Sequence, residues 1–342
     1  MKFSNTLINW YLTNKRNLPW RETKNPYPIW LSEIMLQQTR VAQGLPYFNS
    51  FLLNFPTVFE LANANEEQVL KLWQGLGYYS RARNLHKTAK HIANSYNGVF
   101  PKNYTDLLKL TGIGDYTAAA IASFAYNEAV PVVDGNVFRV LSRYFDVEND
   151  ISITATKKVF AVLAFELMPK TNPAQFNQAI MEFGALQCVP KNPNCSICPF
   201  NESCAALQKN KIDQLPVKTK KVKVKNRFLN YIIFEDEKKQ TLIKKRIEKD
   251  IWQNLFEFPL IETQETIDIA FIIKNVESEN KIISIDELNP NEIIHKLTHQ
   301  KLHIKFWKIK VKGVLKNGLD NAEINNYPLP IVIANFIQKD IF

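Results

Sequence analysis

All four cysteines of the chain fall between positions 188 and 204, in the spacing C-x6-C-x2-C-x5-C. Disulfides are disfavoured in a cytosolic chain, so the spacing predicts a tetrathiolate site for zinc or for an iron–sulfur cluster. The spacing alone does not choose between the two, and thiols that bind no metal are the remaining alternative. Pro190, Pro193 and Pro199 interrupt any helix between the thiols. The segment is therefore predicted to be a loop wrapped around a metal.

The spacing pattern of apolar residues changes once along the chain. A chain of 342 residues is long enough to form two domains. Up to about Leu207, apolar residues recur at three-and-four spacing, as in "EEQVLKLWQGL" and "ATKKVFAVLAFELM", which predicts an all-helical domain. After residue 228, short β-branched and aromatic runs such as "RFLNYIIFE", "KLHIKFWKIKV" and "IDIAFII" predict strands in an α+β domain. The chain is therefore predicted to be multidomain: residues 1–216, a linker at 217–227, and residues 228–342.

Positive charge is unevenly distributed. The net charge is +10, and residues 217–227, "VKTKKVKVKNR", hold six Lys and Arg and no acidic residue. Residues 228–342 are close to neutral, with 16 basic against 17 acidic side chains. The excess favours a polyanionic partner, and the basic run is either a solvated linker or a phosphate contact. No apolar run is long enough to span a bilayer and no signal peptide opens the chain, so we expect a soluble, cytoplasmic protein without membrane contact.

The stretch "LTGIGDYTAAAIASFAYNEAVPVVDGN" places a glycine turn and a lone acid close together. Gly112 and Gly114 precede an Ala-rich helix that is predicted to start near Tyr116, and amides at such a start can face a phosphate. A tight turn between helices without a ligand is the alternative. Asp134 precedes Gly-Asn and can cap the following helix. Glu33 lies in "PIWLSEIMLQQT", where an apolar setting would raise its pKa, so that the carboxyl group would keep its proton near neutral pH. The alternative is that Glu33 lies on the solvent-exposed face of an amphipathic helix.

Taken together, "LTGIGDYTA", "VPVVDGNVFRV" and the cysteine spacing resemble the helix-hairpin-helix DNA glycosylases that carry a 4Fe–4S cluster. Within that superfamily, "LPWRETKNPYPIWLSEIMLQQTRV", "LWQGLGYYSRARNL" and "HKLTHQKLHI" resemble the adenine DNA glycosylases of the MutY type, over nearly the whole chain. The resemblance implies a helical glycosylase domain with an iron–sulfur loop at 188–204, then a Nudix-like domain. It also implies a monomer in the bacterial cytoplasm, at the nucleoid, that acts on duplex DNA with 8-oxoguanine:A or G:A mispairs.

The resemblance gives roles to four residues of the helical domain. Glu33 would protonate N7 of adenine and later help to activate water, while Asp134 would stabilise the cationic sugar with retention of configuration. Tyr116 stands where the bifunctional relatives have a Lys nucleophile, so base excision without strand cleavage is implied. Asn136 is expected to position this machinery by hydrogen bonding near Glu33.

The resemblance also implies a set of DNA contacts. Gln38 and Tyr78 match positions that wedge into the duplex, and Thr39 and Leu76 match contacts around 8-oxoguanine. The remaining members of the set are Trp20 and Arg21 near the adenine pocket, Arg81, the turn glycines Gly112 and Gly114, and the lesion-reading pair Thr298 and His299.

The second domain departs from its relatives at two points. Bacterial relatives usually have Ser where this chain has Thr298, which keeps the hydroxyl and adds a methyl group. The acidic helix pattern R-E-x-x-E-E of Nudix hydrolases does not follow "IWQNLFEFPLIET", so no pyrophosphohydrolase activity is expected.

Two other functions fit part of the sequence. A bifunctional endonuclease III-like glycosylase acting on pyrimidine lesions would share the helix-hairpin-helix and the cluster, but it needs Lys in place of Tyr116. A non-enzymatic, metal-containing DNA-binding protein would need no pair of carboxylates such as Glu33 and Asp134.

Overall fold

The computed structural model describes residues 2–219 and 223–339. The chain divides into two compact units. The first joins Met1–Asn63 with Asn84–Lys220, and the second joins Ala64–Arg83 with Lys221–Phe342. No described helix is both long and apolar enough to cross a membrane.

The chain up to residue 219 is helical, as its periodicity predicts. A 3₁₀ turn at Pro19–Arg21 follows the first helix. In chain order the helices are α1 (Lys2–Asn14), α2 (Pro26–Met35), α3 (Val41–Asn54), α4 (Val58–Asn63), α5 (Glu66–Leu72), α6 (Ser80–Ser95), α7 (Tyr104–Leu107), α8 (Asp115–Tyr126), α9 (Gly135–Phe145), α10 (Thr154–Leu167), α11 (Pro173–Leu186) and α12 (Ala205–Gln208).

Two helix packings position the first unit's chemistry. Helix α11 packs against α1 and α9 around a core that includes Leu7, Phe160, Phe176 and Ile180, all fully buried. Each such side chain contributes roughly 1.5–3 kcal/mol when it leaves water. Helix α2 packs against α8. Because α8 is mostly small and apolar, "DYTAAAIASFAY", the backbones of these two helices can approach closely.

The second unit contains a mixed sheet. Its elements after residue 223 are β1 (Lys225–Glu235), β2 (Lys244–Lys245), β3 (Phe256–Glu257), β4 (Leu260–Thr263), α13 (Ile269–Asn275), β5 (Ile282–Glu287), β6 (Ile293–Lys296), β7 (Gln300–Val311), α14 (Asn321–Ile324) and α15 (Ile331–Ile337).

The long strands β1 and β7 form the centre of the sheet and pair in parallel. The strand order is β4-β1-β7-β5, and β6 also pairs with β7. Every neighbour of the central pair is antiparallel, while β2 and β3 form a separate two-stranded ribbon. Trp307 and Ile309 of β7 are fully buried in the core of this unit. A sheet of this kind confirms the predicted α+β class.

One predicted strand is wrong. The run "IDIAFII" forms helix α13, because the Asp268 side chain accepts a hydrogen bond from the Phe271 amide (3.0 Å) and so caps a helix start. Ile272 is then the one fully buried residue of that helix.

The segment Ala64–Arg83 is assigned to the helical domain by the sequence-based division, whereas in the structure it belongs to the second compact unit. It is helical as predicted. The Asn254 side-chain amide donates to the Glu66 carboxylate (2.6 Å), and Lys71 donates to the carbonyl of Tyr327 (3.1 Å). The backbone amide of Leu329 donates to the side-chain oxygen of Gln74 (2.9 Å). The basic run at 217–227 contains the unit boundary and the first residues of β1, and its residues 220–222 lie outside the described ones.

Candidate active site

Glu33 is the centre of the candidate site in the first unit. It lies on α2, which begins where the Asn25 side chain caps the Tyr27 amide, and it is only 6% exposed. Tyr116, in the first turn of α8, donates its hydroxyl proton to Glu33 Oε2 across 2.7 Å. The packing of α2 on α8 therefore brings together two residues that are far apart in sequence.

The environment of Glu33 favours its neutral acid. Burial raises the pKa of Glu33 to about 7, since the apolar surroundings cannot solvate a carboxylate. The Tyr116 hydrogen bond acts in the opposite direction, the negative charge of Asp134 raises the pKa further, and the Arg21 guanidinium lowers it. A carboxyl group with this pKa can give up and regain a proton near neutral pH.

Asp134 caps α9, as the sequence predicts. Its Oδ1 accepts hydrogen bonds from the backbone amides of Asn136 and Val137, both at 2.8 Å, and its Oδ2 accepts one from the Asn136 side chain at 2.7 Å. Burial raises the pKa of Asp134, although these three bonds oppose the shift. The carboxylate is held in one orientation by the helix start.

Asn136 acts on Asp134 in this structure. The resemblance implies hydrogen bonding by Asn136 near Glu33; in this structure its side-chain nitrogen donates to Asp134 and its oxygen accepts from Arg139 Nη2 at 2.8 Å. Arg139 in turn donates to the carbonyls of Gly184 (2.6 Å) and Cys188 (2.7 Å), so this chain of contacts reaches the cysteine segment.

Sequence reasoning missed Glu182. This residue of α11 is 1% exposed and accepts hydrogen bonds from Arg16 (2.6 Å) and Arg21 (2.8 Å). Burial alone would raise the pKa of Glu182, yet the two guanidinium groups hold it at about 2. Arg21 also donates to Gln178 (3.1 Å), one turn earlier on α11. The available signal was an acid within the apolar run "FNQAIMEFGAL".

Arg21 and Trp20, both predicted near the adenine pocket, are fixed by this arrangement. Trp20 is buried, and its ring meets Phe48 of α3 edge to face, with centroids 5.0 Å apart. The Arg21 charge reaches the site, since it lowers the pKa of Glu33.

The two turn glycines, Gly112 and Gly114, have different structural roles. Gly112 has φ +80°, and a Cβ there would lie 2.9 Å from Cβ of Asn84, so no larger residue fits. Gly114 precedes α8 in extended conformation, and a Cβ there would meet nothing within 4 Å. The first glycine closes the turn, and the second leaves open space before the amides at the start of α8.

Two further predicted contacts lie just after α2, in the first unit. Gln38 is exposed and has φ 57°, a left-handed conformation that turns the chain sharply. Thr39 beside it is half-buried, and its amide donates to the carbonyl of Leu36 at 3.2 Å.

In the second unit, Tyr78 and Thr298 meet. The Tyr78 hydroxyl lies 2.5 Å from Thr298 Oγ1, although the two residues are far apart in sequence. Tyr78 is 43% exposed and has φ 50°, whereas Leu76 two residues earlier is buried. His299 is exposed next to Thr298. The structure thus brings together one predicted wedge residue and the predicted lesion-reading hydroxyl.

Arg81 supports the turn that carries Tyr78. Its guanidinium lies over the rings of Tyr78 (5.2 Å) and Trp73 (5.4 Å) and donates to the carbonyl of Gly77 at 3.2 Å. Burial lowers the pKa of Arg81 to about 10. A DNA contact by Arg81 stays a prediction, and the contacts seen here are those of a residue that fixes the turn.

The four thiols surround one small space. Cys188, Cys195, Cys198 and Cys204 line a cavity of about 30 Å³ between the end of α11 and the start of α12, and none is in a disulfide. Burial and the neighbouring thiols raise the pKa of Cys198 to about 11. Arg143 Nη1 lies 3.4 Å from Cys188 Sγ, a contact that suits a thiolate. The donor set is therefore that of a tetrathiolate centre.

The donor set leaves the choice of metal open. Among residues 2–219 and 223–339, no group of three or more His, Cys, Asp or Glu is arranged to hold a metal ion. Four thiolates are the ligand set that both structural zinc and iron–sulfur clusters use, so the donor type is compatible with either.

Comparison with known proteins relates both halves of the chain to described families. Residues 31–164 match the HhH-GPD superfamily of base excision DNA repair proteins, and residues 230–339 match the NUDIX domain. An adenine DNA glycosylase of Buchnera aphidicola subsp. Baizongia pistaciae is 37% identical, covering 98% of this chain and 97% of the relative. The adenine DNA glycosylase of Homo sapiens is 42% identical over 62% of this chain and 41% of its own length.

Solved structures resemble the helical part. A thermostable thymine-DNA glycosylase covers 61% of this chain at 29% identity, with a TM-score of 0.56 and 96% of its own length matched. A non-covalent endonuclease III–DNA complex, at 21% identity and TM-score 0.53, covers 61% of this chain and 96% of its own and shares the fold.

The raised pKa of Glu33 predicts a pH-dependent penalty on folding. Its folded-state value of about 7 lies above the ordinary 4.5, so the neutral acid folds without charge penalty below about pH 4.5, and the penalty grows until pH passes about 7. Glu33→Gln lacks this penalty. Relative to wild type, its free energy of unfolding should increase by up to about 3 kcal/mol between pH 4.5 and pH 8. Urea denaturation at both pH values measures this, with the exposed Glu166→Gln as control; equal pH dependence of Glu33→Gln and wild type would contradict it.

Proposed function

The chain belongs to the adenine DNA glycosylases of the HhH-GPD superfamily, enzymes of base excision repair, and on that premise we propose that it excises adenine opposite 8-oxoguanine or guanine in duplex DNA by hydrolysis, without cutting the strand. The observation that carries the proposal is the buried Glu33, with a pKa of about 7, hydrogen-bonded to Tyr116 and close enough to Asp134 for their charges to interact.

The first step assigned to this site is protonation of the base. Adenine leaves poorly as an anion, and a proton on N7 makes it a neutral leaving group. Glu33 can supply that proton because burial keeps it in the acid form near neutral pH. After departure of the base, the same group in its carboxylate form can accept a proton from attacking water.

The second step is stabilisation of the sugar cation. Asp134 is held by three hydrogen bonds at the start of α9, so its carboxylate is oriented before the substrate arrives. It can face the anomeric carbon as charge develops, as the second carboxylate does in retaining glycosidases. Asn136 and Arg139 act on Asp134 and are positioning residues.

Tyr116 separates this proposal from its closest alternative. A bifunctional endonuclease III-like lyase needs an amine at this place to form a Schiff base, and a phenol cannot do so. Its hydroxyl is committed to Glu33. A non-enzymatic DNA-binding protein would need neither the buried carboxyl group of Glu33 nor the oriented carboxylate of Asp134.

We assign a 4Fe–4S cluster to Cys188, Cys195, Cys198 and Cys204. The cysteine spacing, the shared cavity and the Arg143 contact to Cys188 Sγ support it. When bound, the cluster supplies a cross-link that fixes the chain between α11 and α12. Arg139 and Arg143 hold the carbonyls of Cys188 and Val189 from α9, the helix that Asp134 caps.

Lesion recognition is assigned to the second unit. Tyr78 and Thr298 form a hydrogen-bonded pair there, and His299 is exposed next to Thr298. The Arg81 guanidinium packs on the ring of Tyr78 and so stabilises the turn that carries it. A hydroxyl can donate to or accept from the edge of an altered base. Because residues 228–342 are near neutral, their contribution is expected to be selective rather than general affinity for phosphate.

The carboxylates generate a kinetic prediction. Under single-turnover conditions, Glu33→Gln should slow excision of adenine by about 10²–10⁴-fold, and Asp134→Asn by a similar factor, with duplex binding largely retained. The control is Glu166→Gln, an exposed helical acid of the first unit, which should excise like wild type. Strand breaks should appear only after alkali. Near wild-type excision by either variant would remove that residue from the mechanism, and breaks without alkali would contradict hydrolysis alone.

The lesion-reading pair generates a specificity prediction. The double variant Thr298→Ala, His299→Ala should lose roughly one to two decades of preference for 8-oxoguanine:A over G:A, since base readout by hydrogen bonds is worth about 1–3 kcal/mol. Thr298→Ser keeps the hydroxyl and should keep most of the preference. Excision rates on both duplexes at one salt concentration give the ratio; an unchanged ratio in the double variant would place recognition elsewhere.

The cysteine segment generates a prediction about composition. Purified protein should be brown, absorb broadly near about 400 nm and contain roughly four iron atoms per chain. Cys198→Ser should lower both iron and absorbance. Stoichiometric zinc without iron would overturn the assignment of a cluster.

A further inference from the structure

The turn between β6 and β7, residues 297–299, carries both residues of the lesion-reading pair. Thr298 and His299 are exposed, so packing against a core does not fix either side chain. The Leu297 amide donates to the Gln300 carbonyl at 2.8 Å and closes the turn. The positions of the two side chains therefore depend on what holds Gln300, the first residue of β7.

Gln300 is held by Arg227 of the neighbouring strand. Arg227 Nη1 donates to Gln300 Oε1 at 3.1 Å. Strands β1 and β7 pair in parallel here, and the Lys225 amide donates to the carbonyl of His299 at 2.9 Å. The turn is thus attached to β1 at two points, once through its own backbone and once through the Gln300 side chain.

Arg227 is itself held in one position. It is only 8% exposed, and its Nε and Nη2 donate to the two carboxylate oxygens of Glu262, both at 2.7 Å. Its Nη1 also donates to Asp250 at 2.9 Å, and Asp250 pairs with Arg246 at 2.5 Å. A planar guanidinium in such a bidentate contact has a defined orientation. Arg227 therefore offers Gln300 a donor at a fixed place.

The contact between Arg227 and Gln300 matters more for the turn than for the arginine. Arg227 already has two carboxylate partners, Asp250 and Glu262, so a neutral acceptor adds little to the pairing of its charge. A glutamine side chain, by contrast, gives up much rotamer freedom when it is held at one end. Loss of the contact should therefore free the turn and leave the ion pairs of Arg227 in place.

We propose that Arg227 is a positioning residue for lesion recognition, which fixes the turn 297–299 through Gln300 and so holds Thr298 and His299 where they meet the altered base. The hold on the turn is a property of the free protein, and only its effect on base preference rests on the proposed function. Arg227 itself contacts no base in this scheme. It limits the conformational freedom that the turn would otherwise lose on binding, which is how a preorganised site gains affinity.

The first experiment measures the hold on the turn in full-length protein without DNA. In Gln300→Leu, hydrogen exchange at the Leu297 amide should become about tenfold faster, because the residue that accepts from this amide is no longer held. Gln300→Glu keeps an acceptor oxygen and should exchange like wild type. Gln264→Leu, the same substitution at an exposed residue of this unit, is the control. The exchange is followed by NMR, and thermal melting verifies that each variant is folded.

The second experiment measures base preference. In single-turnover excision, Gln300→Leu should lose about tenfold in the ratio of the 8-oxoguanine:A rate to the G:A rate, with the G:A rate within about twofold of wild type. Gln300→Glu should keep the ratio within about threefold. Arg227→Lys keeps the charge but not the planar fork, so it should lose about as much as Gln300→Leu.

A double-mutant cycle tests whether the effect passes through the lesion-reading pair. Adding Gln300→Leu to the Thr298→Ala, His299→Ala variant should change the ratio by less than about twofold, because the side chains that the turn positions are then absent. A further tenfold loss, roughly, in that background would mean that Gln300 acts by another route, and the proposal would be wrong.

The outcomes separate this proposal from the proposed function. Unchanged Leu297 exchange in Gln300→Leu overturns the positioning role alone, and so does an equal loss of preference in Gln300→Glu and Gln300→Leu. A ratio that Gln300→Leu leaves unchanged, where the Thr298→Ala, His299→Ala variant lowers it, also overturns that role alone. Protein that releases no adenine from either mispair overturns the proposed function, and the exchange measurement, made without DNA, then decides the hold on the turn by itself.

Discussion

The burial of Glu33 depends on an apolar interface, and the chemistry proposed for the first unit depends on that burial. A carboxyl group keeps its proton near pH 7 only where water is excluded, and the packing of α2 on α8 provides this exclusion. The small residues of α8 permit the close approach, and Gly112 turns the chain into that helix. Residues without a proposed chemical role are thus required for the raised pKa of Glu33.

The charged groups around Glu33 have hydrogen-bond partners of their own. Arg21 would leave an unpaired positive charge near Glu33, but Glu182 accepts from it and from Arg16. Asp134 would be an unpaired negative charge, but two backbone amides and Asn136 donate to it. The first unit therefore holds a carboxyl group with a pKa near neutrality and an oriented carboxylate whose charge acts on it, and the two are held by contacts from α8 and α9 respectively.

Local features were predictable from the sequence, and tertiary ones were not. The position of Asp134 before Gly-Asn predicted a helix cap, and the apolar neighbours of Glu33 predicted its burial. Both features depend on residues that are adjacent in sequence. The pairing of Glu182 with Arg16 and Arg21 could not be predicted, since these partners lie more than 160 positions earlier and nothing local links them to it. The run "IDIAFII" was misread because β-branched composition outweighed the single capping residue Asp268. The helical pattern of Ala64–Arg83 predicted its structure correctly but contained no information about which unit it would join.

The placement of Ala64–Arg83 also has a consequence for synthesis of the protein. The segment leaves the ribosome long before its contacts at Asn254, Tyr327 and Leu329 exist. At about 5–20 residues per second, roughly ten to fifty seconds pass before the last of them is made. During that interval Leu70 and Trp73, fully buried in the finished protein, have no complete core to enter. The helical segment is therefore synthesised well before its partners, and its buried side chains stay without them until residue 329 has been added.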